Sequence, residues 1–269
     1  MHMDVETALR IEAAERDYLR TRVQNLTRIA GNPYGAEVFS NAGQACFQVT
    51  ASPSPMLNRI YGDSTHEPQA IVDLLARSVD CSAVTALIGP PSSLEHNVCM
   101  AGRQLQRLKG WTHLQLACAI EQTLVSDHPF DIEQITPQTF RAFAQIHADG
   151  FHTKAAQRLV NQASFEGLQA DDSLKIYVIK EGAEVVAGAV MYLASNGVAY
   201  LGTAATGKQA RGRGYHAALI AHRVGQAREH GCSLVAATAL ASSQSRRNLQ
   251  RAGLKVSHAQ GLYRLHDPE

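Results

Sequence analysis

Thr206-Gly-Lys-Gln-Ala-Arg-Gly-Arg-Gly-Tyr-His-Ala-Ala-Leu219 sets a Gly/Arg-rich turn between a strand-like segment and a long helix-like one. A helix start leaves N–H groups without intrahelical acceptors and carries partial positive charge, and glycines let a phosphate reach those donors. Arg211 and Arg213 add fixed charge beside them. The chemistry expected of such a turn is diphosphate binding, set against the plain alternative of a solvated Arg-rich loop capping a helix. Gly212, Gly214 and Ala217 also fit the G-x-G-x-x-A opening of a dinucleotide-binding unit. That unit wants an acidic residue about 20 positions on, at the end of the next strand, and Leu234-Val-Ala-Ala-Thr238 offers none. Thr206-Gly-Lys208 lacks the spacing of a P-loop.

The flanking elements must position this turn. Apolar residues from Val5 to Ile29 recur at mostly helical spacing and end at Gly31-Asn-Pro33, which predicts a long amphipathic helix. Strands are expected at Ala36–Phe39 and Ala45–Thr50, a helix over Pro68–Val79, a strand at Ala83–Ile88, a helix over Ser92–Leu108 and a strand from Trp111 to Ile120. Residues 121–137 lack periodicity and read as a linker between lobes 1–125 and 130–269. Beyond it, helices are expected over Pro137–Ala148 and Lys154–Gln162. Three strands follow, Leu174–Lys180, Val185–Ala194 and Val198–Ala205, and the Ser195-Asn-Gly197 turn makes the last two a hairpin. After the Gly/Arg turn come a helix to His230, a strand over Ser233–Ala239, a helix over Ser243–Ala252, and two short strands around Lys255 and Tyr263. Both halves run from an apolar strand through a Ser-led helix to a glycine, Gly110 or Gly253, which raises an internal repeat as a possibility.

Bulk composition limits the partners. Lys+Arg number 25 against Asp+Glu 24, so no global field collects nucleic acid or an anionic membrane. Five cysteines, odd in number and without a C-x-x-C pair, argue against a disulfide frame or structural zinc and for a reduced, cytoplasmic setting. Glu95-His96 and Asp127-His128 lack a spaced third ligand, and no metal is expected.

The meander, then Arg211-Gly-Arg-Gly-Tyr-His216, then a helix ending at His230-Gly231, resembles the GCN5-related N-acetyltransferase (GNAT) superfamily. Arg211 and Gly214 match that family's [RQ]-x-x-G-x-[GA] pattern, with His216 where a small residue is usual; the frame Gln209, Gly212, Gly214 matches throughout. The Arg211 frame is preferred because it places the helix and Gly231 at the usual spacing. Ser242 to Leu254, with Asn248 and Gly253, resembles the second family signature. The resemblance covers about residues 130–266 and implies a mixed α/β (α+β) fold of tandem acyl-CoA N-acyltransferase-like lobes, each a mostly antiparallel sheet flanked by helices, the first lobe a degenerate copy.

It further implies acetyl-CoA as co-substrate, held by Ala204, Ala205 and Thr206 along the pantetheine arm, by Arg211, Gly212, Arg213, Gly214, Tyr215 and His216 at the diphosphate, and by Asn248. The implied activity is acetyl transfer to a primary amine of a small molecule or peptide. A non-catalytic acyl-CoA sensor is the alternative, and a homodimer stays open. The Tyr that many relatives use to protonate the leaving thiolate is here Leu249, so Tyr215 and Tyr263 stand as displaced candidates. For the base, Tyr200 is the one titratable group on its strand, and His147, Asp149 and His152 lie near the first helix of the block, each more readily a structural residue. Asn58, Arg59 and Tyr61 after the Pro-rich loop are candidates for an acceptor cleft.

Overall fold

The computed structural model describes residues 4–61, 67–78, 81, 83–89, 92–110, 112–124, 127–151, 153–168 and 171–266. In chain order it contains α1 (Val5–Thr27), β1 (Ala36–Asn41), β2 (Gln44–Val49), β3 (Arg59–Tyr61), α2 (Pro68–Arg77), β4 (Thr85–Ile88), β5 (Asn97–Met100), β6 (Arg103–Arg107) and β7 (His113–Ala119). It continues with β8 (Ile132–Gln134), α3 (Pro137–Gly150), α4 (Ala155–Phe165), β9 (Leu174–Glu181), β10 (Glu184–Leu193), β11 (Val198–Thr206), α5 (Tyr215–Glu229), β12 (Leu234–Leu240), α6 (Gln244–Arg251) and β13 (Lys255–Leu265). The fold is mixed α/β with mostly antiparallel strand pairing.

Contacts divide the chain into two compact units, each discontinuous: residues 1–18 with 115–257, and residues 19–114 with 258–269. The segment read as a linker lies within the first unit, where it contributes the edge strand β8 on β9.

The first unit is ordered by an antiparallel run β8-β9-β10-β11, followed by β12 parallel to β11. The reason is local. Glu181-Gly-Ala183 and Ser195-Asn-Gly197 turn the chain, with Gly182 and Gly197 at φ 60° and 78°, so β9, β10 and β11 meander. Helix α5 then carries the chain over to the parallel strand, a connection only a crossover can make. α3 is started by reciprocal caps, Thr139 N to Thr136 Oγ1 (3.3 Å) and Thr136 N to Thr139 Oγ1 (2.9 Å), with Pro137 in the first turn. Its face buries Phe140 and Phe143 in a core with Phe165, Ile176, Val178, Val190 and Tyr200.

The second unit repeats the order: β1-β2-β3 antiparallel, then α2, then β4 parallel to β3. The internal likeness therefore holds as topology through β4 and β12. It fails just after them, where the expected helix over Ser92–Leu108 is instead a 3-10 turn at Ser92–Leu94 and the hairpin β5–β6. Ala101 and Gly102 both take positive φ, 46° and 76°, as a tight hairpin turn requires, and pairing of β6 with β13 overrides the helical preference of the segment. Gly110 consequently caps no helix. The two short terminal strands are one, β13, because Gly261 can lie inside it; a Cβ there would run into the Ser93 carbonyl and the Tyr263 ring.

Candidate functional site

In the first unit, β11 changes partners along its length. It pairs with β10 at Leu201↔Met191 and again at Ala204↔Ala189, so β11 carries one extra residue, a bulge at Gly202-Thr203. Its parallel pairing with β12 covers only Val198–Tyr200 against Leu234–Ala236. Residues 201–206 then run on with that edge open. Tyr18 lies against the bulge, its ring within 2.9 Å of where a Gly202 Cβ would stand, so only glycine fits there.

The open edge leads into the Gly/Arg turn. Gly207 N donates to Val186 O (2.9 Å), a short 3-10 turn follows at Lys208–Ala210, and Gly212 and Gly214 take φ 82° and 90°. Gly214 is the N-cap of α5 and no side chain caps it. The first intrahelical bond is Ala218 N to Gly214 O (3.0 Å), which leaves the N–H groups of Tyr215, His216 and Ala217 without helical acceptors. The result is a row of aimed donors at the positive end of a helix dipole, directly after a free strand edge.

The side chains around this turn are tied back. Glu181, at the end of β9, accepts from Arg213 Nη1 (2.7 Å) and from the Tyr215 hydroxyl. Those two bonds, Tyr215's first, hold the Glu181 carboxyl below its ordinary range, and Glu181 in turn raises the Tyr215 phenol. Arg211 Nε reaches Thr206 O at 3.4 Å. On the other side, Asn248 Nδ2 of α6 donates to His216 Nδ1 (2.8 Å), which fixes Nε2 as the protonated nitrogen of a neutral ring. Burial first, then the Arg223 charge, push His216 down to about 4.

The fold thus favours neutral His216, and stability from this group is complete above about 6.5 and lost as pH falls toward about 4. Burial and then Arg59 push His113 down to about 3, in the same direction. Thermal melts between pH 6.5 and 4 should therefore fall less steeply in His216→Gln than in the parent; equal slopes would refute the assignment.

Residues 136–254 match the acetyltransferase (GNAT) family model. The chain carries a GNAT domain. Solved structures share its fold. A GCN5-related N-acetyltransferase from Kribbella flavida is 16% identical, with a TM-score of 0.62 over 95% of this chain and 96% of its own. A tandem GNAT protein from the clavulanic acid biosynthesis pathway gives 12%, 0.58, 93% and 88%, in agreement with two lobes here. A GCN5-related N-acetyltransferase from Sphaerobacter thermophilus gives 15%, 0.55, 84% and 81%. At these identities the likeness is one of fold. No curated protein matches in sequence. Acyl transfer is the chemistry that the family supports.

Within the GNAT domain the structure brings Ala204, Ala205, Thr206, residues 211–216 and Asn248 around one loop and strand edge. Leu249 is buried at 3% exposure. Tyr263 lies in the second unit, where its hydroxyl donates to Glu95 O (2.7 Å). Asn58, also in that unit, accepts from Val49 N (2.7 Å) and donates to Ser52 O and Ser54 O, so it braces a loop; Arg59 is 1% exposed and binds Pro55 O. His147 on α3 meets Thr203 Oγ1 at the bulge (2.9 Å). Asp149 is exposed and held by Gln145 and Arg158, and His152 lies outside the described residues. Among the described residues no group of three or more His, Cys, Asp or Glu could hold a metal, and no helix is long and apolar enough to cross a membrane.

Two features escaped the sequence. Arg223, 1% exposed on α5, donates to Val190 O (2.8 Å) on β10, at the residue facing the bulge; burial lowers it to about 10, still charged at neutral pH. The other is Glu15. It is buried at 4% on α1 and accepts from Thr238 Oγ1 and Gln115 Nε2.

Proposed function

We infer that this protein is an acetyl-CoA-dependent N-acetyltransferase acting on a primary amine of a small molecule or peptide, in the reducing cytoplasm that suits its five free cysteines. One observation carries the reading: the open edge of β11 at 201–206 runs without interruption into the uncapped start of α5. A pantetheine arm carries amides that can pair with a strand edge, and a diphosphate needs N–H donors one loop further on. Ala204–Thr206 take the arm, Arg211–His216 the diphosphate, and the Asn248–His216 pair fixes which His216 nitrogen donates. Backbone N–H groups at the bulge are the source of oxyanion stabilisation. Because a free thiol has a pKa near 8.5, the thiolate can leave without a dedicated acid.

Isothermal titration with acetyl-CoA tests the reading, and no heat and no competition at millimolar ligand would sink it. Leu249, and the commitment of the Tyr215 hydroxyl to Glu181, favour a second reading in which acyl-CoA is sensed without turnover. Thiol release over a panel of amines separates the two.

A further inference from the structure

Where β11 parts from β12, the gap is bridged by side chains. Tyr200 is the last residue of the parallel pairing, and its hydroxyl meets Thr238 Oγ1 of β12 at 2.6 Å. Thr238 Oγ1 donates to Glu15 Oε1 (3.3 Å), and Glu15 Oε2 accepts from Gln115 Nε2 (2.8 Å). Since Thr238 gives its proton to Glu15, it can only accept from Tyr200. The three groups form a directed chain from the fork of the strands to a buried carboxylate. Gln115 is 0% exposed, spends its amide on Glu15, and leaves its own Oε1 without a hydrogen-bond partner. A buried acceptor left unmet costs about 1–3 kcal/mol, so the arrangement is costly if its only role is packing. The Tyr18 ring packs on Tyr200, 5.6 Å between ring centroids, and is itself backed by Tyr192 at 6.2 Å, which restricts where the phenol points.

We propose that Tyr200, Thr238 and Glu15 are the proton relay of acyl transfer, with Tyr200 as the catalytic residue and Thr238 and Glu15 positioning and supplying it. This rests on the acetyltransferase reading above. The substrate ammonium first gives a proton to Tyr200 Oη as the Tyr200 proton moves to Thr238 Oγ1 and the Thr238 proton to Glu15 Oε1. The neutral nitrogen then forms a bond to the acetyl carbon and the C–S bond breaks, sending sulfur out as thiolate. The second proton, shed by the nitrogen on acylation, neutralises the thiolate, and Glu15 returns its proton to solvent at the end of the turnover. The base absent from β11 is thus supplied by a helix 185 residues earlier in the chain.

The test measures thiol release with benzylamine, spermidine and glycinamide, which are charged at neutral pH, and with hydroxylamine, which is already neutral. Acetyl-CoA calorimetry on every variant reports folding and the cofactor site separately. Glu15→Gln and Tyr200→Phe should bind acetyl-CoA as the parent does, lose at least about 100-fold in kcat toward whichever basic amine the parent uses, and retain transfer to hydroxylamine. The acid limb of the kcat profile should also disappear in Glu15→Gln. Equal loss toward hydroxylamine and the basic amines, an unchanged pH profile, or a parent that binds acetyl-CoA yet releases thiol with none of the basic amines overturns the relay. Absence of acetyl-CoA binding overturns the function on which it rests.

Discussion

Gly214→Val is expected to raise the Kd for acetyl-CoA at least about 100-fold, a loss of about 2.7 kcal/mol. Gly214 sits at φ 90°, ψ −5° as the N-cap of α5. A β-branched residue is strongly disfavoured there, at a cost of about 1–3 kcal/mol. A Cβ would stand 3.8 Å from the Phe130 ring, which is ordinary contact, so the fold has room for it. The chain instead relaxes away from the left-handed region, and in doing so it turns the donors of Tyr215 and His216 off their common target. Denaturant unfolding should therefore show a modest loss of stability beside a large loss of binding. Gly225→Ala is the control, because it lies on the same helix with nothing within 4 Å of its added Cβ; it should leave the Kd unchanged. A Gly214→Val protein that binds within threefold of the parent would remove the diphosphate from this loop.

The largest effect on stability should come from Phe143→Ala, at about 3–5 kcal/mol. Phe143 is 1% exposed and sits edge-on to Phe165, with ring centroids 6.0 Å apart. On its other side is Gly188 of β10, where a Cβ would stand 2.6 Å from the Phe143 ring. On that side the ring lies directly on backbone, which has no side chain to fold into the space that truncation leaves. The loss should also reach the site. Phe143 and Phe165 hold the His147 ring, 6.0 and 5.7 Å away, and His147 holds Thr203 at the bulge. Hydrogen exchange at Gly202 and Thr203 should accelerate in the variant well before global unfolding, and Gly188→Ala should destabilise from the opposite side by overpacking. Protection unchanged at the bulge would show that His147 does not support it.

What could be read from the sequence was local. The Gly/Arg turn, the Asn196-Gly197 hairpin and α5 follow from residues within a few positions of one another, because positive φ and helix starts have strong residue preferences. The hairpin β5–β6 could not be read that way. Its residues favour helix, and only pairing with β13, more than 150 residues on, makes them strands. β8 was hidden for the same reason, since Ile132–Gln134 is too short to show alternation and depends on β9. The candidate acid–base group shows the limit most sharply: Glu15 looks like one more polar position on an amphipathic helix until β12 and Gln115 surround it.

The division of the chain into units also bears on how the protein is made. The unit that contains the Gly/Arg turn combines residues 1–18, which include the first part of α1, with 115–257, and the intervening stretch belongs to the other unit, which itself waits for 258–269. Neither unit can close on the ribosome when half the chain has emerged. α1 must remain available, its apolar face exposed, until β12 has been synthesised. Long sequence separation slows folding and prolongs exposure of unpaired edges. Newly made chains should accordingly depend on chaperone protection late in synthesis, and expression of residues 130–269 alone should give insoluble protein, because that fragment lacks the helix carrying Glu15 and the strand carrying Gln115.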